Sequence, residues 1–142
     1  MDPAAYEALI RELEPAACPF APAILSGCAG CSLAERRRVA EGERVTCSSP
    51  GQRDRCLLLR AHLREHSAFA LGIPDPAQPL PHAKALRMVC GGLGGLAGVV
   101  GSGTADIRRL VDLLLEHNPG FEGLPWAQMM RSVSALPGRG RR

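Results

Sequence analysis

The chain has 142 residues and a formal net charge of +3; 46% of it is hydrophobic but only 4% aromatic. This length suits one domain that buries roughly two-thirds of its unfolded surface, and the modest charge gives no case for nucleic-acid binding from basicity alone. Sixteen of the seventeen cations are Arg, with Lys84 the only lysine, a bias that a GC-rich genome produces without any function.

Helix signals recur along the chain more clearly than strand signals. Asp2 caps a first helix with Pro3 at its first position, and Tyr6, Leu9, Ile10 and Leu13 give it one apolar stripe before Pro15 ends it. The stretch from Cys18–Pro19–Phe20 to Cys28–Ala29–Gly30–Cys31 reads as loop. Ser32 and Glu35 have capping-box spacing, which predicts a short helix to about Ala40, stopped by Gly42. Ser49–Pro50 opens a longer helix whose broad apolar face includes Leu57, Leu58, Leu63, Phe69 and Leu71 and which ends at Gly72. Four prolines between Ile73 and Pro81 mark a connector.

Beyond the connector, a segment from Ala83 to Val89 enters the run Gly91–Gly92–Leu93–Gly94–Gly95–Leu96–Ala97–Gly98. A helix capped by Ser102 or Thr104 follows, with Ile107, Leu110, Val111, Leu114 and Leu115 on its apolar face, closed by His117–Asn118–Pro119–Gly120. A last helix, from about Pro125 to Leu136, carries Trp126, Met129, Met130 and Val133 on one side. The expected fold is mainly α: about five to six short helices joined by Pro/Gly-rich loops around a cysteine metal or cluster site. It forms a single domain, 1–142, with a Cys-rich half (1–72), a Pro-rich connector (73–81) and a Gly-rich helical half (82–142).

Val89 to Val100 is shorter than the ~20 residues a bilayer requires and is broken by five glycines. Glu7, Glu12 and Glu14 stand where a secretory leader would be basic and then apolar. The expectation is a cytoplasmic chain with no membrane insertion. In a reducing compartment six cysteines argue for metal or redox chemistry over a disulfide framework; a secreted, disulfide-bonded chain is the alternative.

Cys28, Cys31, Cys47 and Cys56 form C-x2-C-x15-C-x8-C. A C-x2-C turn lets two thiolates reach one ion or cluster, and Cys31 and Cys47 precede expected helix N-termini, where backbone N–H groups favour thiolates. Cys31, Cys47 and Cys56 belong to every plausible ligand set, with Cys28 or Cys90 as the fourth ligand and Cys18 also available. Zinc and a [4Fe–4S] cluster both accept four thiolates. The eight-residue spacing of the second pair, the Cys18–Pro19 step and the bare amides after Cys90 favour the cluster.

Gly92 to Ala97 matches G-x-G-x-x-A, but the βαβ context of a dinucleotide fold is missing, so Gly91/Gly95 and Gly94/Gly98 read as places where another backbone comes close. His62 and His66, with no acid in a matching position, read as helix-surface residues. Arg36, Arg37 and Arg38 are candidate contacts for an acidic partner or phosphates. No hydrolase motif or small-molecule substrate emerges. The expected function is a small iron–sulfur protein in electron transfer or redox sensing, an accessory protein more than an enzyme, docking on a larger protein through Arg-rich and Met129/Met130 surfaces. The alternatives are a zinc-stabilised interaction module, with nucleic acid a weaker partner, and a Cys28/Cys31 dithiol enzyme.

Overall fold

A computed structural model of the chain describes residues 2–73, 75, 77–103 and 106–135. The Arg139–Arg142 tail, the Thr104 cap and Leu136 lie outside them. The protein is mainly helical with one small sheet. In chain order the described elements are α1 (Pro3–Leu13), α2 (Ala21–Ser26), an antiparallel hairpin of β1 (Ala34–Val39) and β2 (Gly42–Cys47), α3 (Pro50–Leu71), α4 (His82–Val100), α5 (Ile107–His117) and α6 (Trp126–Ala135).

The capping expectations hold at α1 and α3. Asp2 accepts the Ala5 N–H at 3.1 Å, and Ser49 accepts the Gln52 N–H at 3.2 Å, each with proline in the first turn. Gly72, in the left-handed region at φ +66°, ends α3. The α3 core stripe is Gln52, Cys56, Leu59, Leu63, Ser67 and Leu71. Leu57, Leu58 and Phe69 face outward instead, with Phe69 99% exposed. Spacings of three and four residues select one line down a helix, and the outward leucines fall beside that line.

Two segments differ from expectation. Residues 21–26, read as loop, form α2, begun by the φ of Pro22 and ended by Gly27 at φ +86°. The segment after Ser32, read as a helix, is β1. Its sequence Glu35–Arg36–Arg37–Arg38 offers a helix no apolar face to bury. Paired with Val45 and Thr46 of β2 it forms a twisted ribbon that buries Val39, Val45 and Thr46. Ser32 does not cap; its N–H donates to Asp106 Oδ1 at 3.1 Å.

Helix α4 contains a π turn over Arg87–Gly91. It is the one helix among the described residues long and apolar enough, by length and composition, to cross a membrane. Here it packs on α6. A Cβ on Gly91 would lie 2.7 Å from Val133 Cα, and one on Gly95 would lie 3.3 Å from the Met129 carbonyl oxygen. Gly94 and Gly98 meet nothing within 4 Å, so close approach applies to the first pair alone. Helix α5 is capped by Asp106, not Ser102. One hydrophobic cluster runs from Phe20 to Val133, drawing on both sides of the Pro-rich connector. Met129 sits within it at 1% exposure, which removes it from the docking surface expected of it, and the half-buried Met130 packs against the cluster.

Candidate functional site

The six cysteines separate into a bonded pair and a group of four free thiols. Cys28 and Cys90 form a disulfide with Cα atoms 6.0 Å apart, joining the segment after α2 to the π turn of α4 across 62 residues of sequence. Both residues offered for the fourth ligand position are thereby engaged with each other. The expectation of metal chemistry over disulfides is corrected for this pair, because the fold carries Cys90 beside the α2 terminus and the Ser26 Oγ lies 3.6 Å from its sulfur.

Cys18, Cys31, Cys47 and Cys56 remain free. The hairpin gathers them. Ala17 bridges Thr46, and the Cys18 N–H donates to the Val45 carbonyl at 2.9 Å, so Cys18 runs alongside β2. Cys31 accepts the Ala34 N–H through its carbonyl at 3.1 Å, and Ala34 is paired directly with Cys47. Cys47 ends β2, and its sulfur donates to the Ser49 carbonyl at 3.3 Å, at the start of the helix that carries Cys56. Four segments thus bring one thiol each to the junction of hairpin and α3.

Two of these thiols feel the charge of others in the group. Burial pushes the Cys56 thiol up to about 12, and the thiolate charges of Cys18, Cys31 and Cys47 push in the same direction while Gln52, 4.0 Å away, opposes them. Cys18 is pushed up to about 11, first by burial; the Phe20 N–H pulls it down, Cys31 and Cys47 raise it, and Arg53 lowers it. Cys18 and Cys56, partly shielded from water and raised by neighbouring thiols, would be stabilised as thiolates by a bound cation. The C-x15-C-x8-C part of the sequence pattern falls within this group. Cys18, ranked behind Cys28 and Cys90, falls within it too, because its N–H is taken by β2, an unexpected strand.

Arg36, Arg37 and Arg38 lie on exposed β1, where alternation sends Arg36 and Arg38 to one face and Arg37 to the other. Arg36 Nη1 meets Glu43 Oε1 at 3.1 Å and its Nη2 donates to the Ile24 carbonyl at 3.0 Å; Arg37 is 3.9 Å from Glu35. The run is divided and partly engaged.

A second group escaped the sequence reading. Donor atoms of His62, Glu65 and His66 lie within 4.8 Å of one another, so an acid does stand in a matching position. The signal was the i, i+3, i+4 spacing, which places all three on one helix face. No family model matches the chain, and neither curated proteins nor solved structures provide a match.

Proposed function

We propose that Cys18, Cys31, Cys47 and Cys56 bind a [4Fe–4S] cluster, and that the protein is a small cytoplasmic accessory component in electron transfer or redox sensing. The observation that carries this reading is the gathering of four free thiols from four segments, with Cys56 sensing the charge of the other three and Cys18 that of Cys31 and Cys47. A cluster supplies a one-electron couple, and this chain's part is to hold it, screen it from water and tune it through nearby donors such as Gln52 and the Phe20 N–H.

Zinc is the second reading, as the core of an interaction module. Zinc–sulfur bonds of about 2.3 Å require sulfurs roughly 3.8 Å apart. Among the described residues no three of the four sulfurs lie within 4.8 Å of one another, so a single zinc would require them to draw together. A protein partner is supported by the individually exposed apolar side chains of Leu57, Leu58 and Phe69.

The Cys28–Cys90 bond bears on the compartment, since reducing cytoplasm opens most disulfides. In this reading the pair is a dithiol in the cell and closes on oxidation. Alkylation of intact cells before lysis checks this: two modified residues at Cys28 and Cys90 support a cytoplasmic location, and protection of both argues for an oxidising one. The metal question is answered by iron, sulfide and zinc analysis with an absorption spectrum on anaerobically purified protein. Brown protein with stoichiometric iron and sulfide supports the cluster; colourless protein with one zinc moves the assignment to the second reading.

A further inference from the structure

The sequence His62–Leu63–Arg64–Glu65–His66 sets two imidazoles one helical turn apart with a carboxylate between them on the same face of α3. Their donor atoms all lie within 4.8 Å of one another. Two nitrogens and one oxygen are a donor set for a borderline divalent transition ion, and three protein ligands leave coordination positions open to water or an exogenous group. The thiol group offers sulfur alone and belongs to a different hydrophobic face: Cys56 is buried on the core stripe of α3, six residues earlier.

A second observation concerns the rings. Trp126, at the start of α6, stacks on both of them: its centroid is 4.3 Å from that of His66 with planes 4° apart, and 5.8 Å from that of His62 with planes 15° apart. The two imidazoles are themselves near parallel, at 13° with centroids 6.5 Å apart, and Phe121 meets His62 edge-on at 6.2 Å. Packing from outside α3 therefore restricts the rotamers of both histidines. Surface histidines ordinarily give up rotamer entropy when they chelate, and here packing has already removed part of that freedom.

We propose that His62, Glu65 and His66 form a second metal site, for a zinc-, nickel- or copper-class divalent ion, held in shape by Trp126 and independent of the thiol group. Glu65 is exposed and completes the site from the solvent side. Occupancy would tie α3 to α6 through the stacked indole, so the ion also fastens the C-terminal helix to the long central one.

Trp126 is the only tryptophan in the chain and so reports on this site directly. The test is a Ni²⁺ titration of the protein as purified, followed by tryptophan fluorescence and by absorption. The expected result is saturable quenching with no thiolate-to-nickel charge-transfer band, and affinity reduced roughly tenfold or more in both His62→Gln and Glu65→Gln. Glu65→Gln alters an exposed side chain and leaves the ring stack intact, so it separates ligation from folding. Absence of saturable quenching overturns the proposal. Quenching that survives in both variants, or that appears together with a charge-transfer band, also overturns it, by assigning the ion elsewhere or to the cysteines.

Discussion

Arg53 Nε donates to the Ala17 carbonyl at 2.6 Å, which fastens α3 to the residue just before Cys18, and the same guanidinium favours the Cys18 thiolate. One side chain thus serves both packing and charge. Its Nη2 also reaches the Glu14 carbonyl at 3.4 Å. Replacement by glutamine leaves the Ala17 carbonyl without its charged donor, and the expected loss is about 2 kcal/mol of unfolding free energy. Urea denaturation checks the loss, and metal content in the same preparation should fall as Cys18 becomes harder to ionise.

The raised thiols set a pH dependence for the metal-free protein. Cys18 and Cys56 ionise near 11 and 12 when folded but at 9.0 in a model thiol. Above pH 9 the unfolded chain has released these protons while the folded chain still holds them, so stability is full below pH 9 and falls as pH rises toward 12. Metal loading requires thiolates, so it releases protons and tightens as pH rises over the neutral range. Denaturation series on chelated protein at several alkaline pH values, and proton release on reloading, measure the two effects.

The hairpin shows what the sequence could and could not reveal. Ser49–Pro50 and Gly72 bound α3 by local chemistry, and Asp2–Pro3 starts α1 the same way, so these elements were legible. Ser32 and Glu35 carry an equally good local capping signal, yet the segment is β1. The deciding partners lie outside the segment itself: β2, just across a tight turn, supplies Val45, and Asp106, 74 residues on, takes the Ser32 N–H. In the sequence Cys18 reads only as a further available ligand, because its partner, Val45 of β2, is remote from it in sequence. Cys28 looked like a ligand because C-x2-C spacing is local, whereas its bond to Cys90 depends on how α2 meets α4.

The glycines of α4 divide by what they face. Gly91→Ala places a methyl 2.7 Å from Val133 Cα and 2.9 Å from the Ser132 carbonyl oxygen, both backbone atoms that yield little. A loss of about 3 kcal/mol is expected from such overpacking. Gly94→Ala meets nothing within 4 Å and should gain up to about 1 kcal/mol from helix propensity. Thermal unfolding of the two variants side by side tests the α4–α6 contact, since equal effects would contradict it.

The disulfide closes a long loop, and the sequence separation of 62 between Cys28 and Cys90 corresponds to about 4 kcal/mol of chain entropy removed from the unfolded state. Reduction should lower the denaturation midpoint of the wild type by the amount that Cys90→Ser lowers it without reductant. A reductant effect that persists in Cys90→Ser would point to other sulfurs.

The ligand set itself is tested by comparing Cys18→Ala with Cys28→Ala, each purified anaerobically and assayed for iron, sulfide and zinc per chain. The account predicts that Cys28→Ala keeps the wild-type metal content and that Cys18→Ala loses most of it. Full metal in Cys18→Ala together with loss in Cys28→Ala would contradict the grouping of Cys18 with Cys31, Cys47 and Cys56.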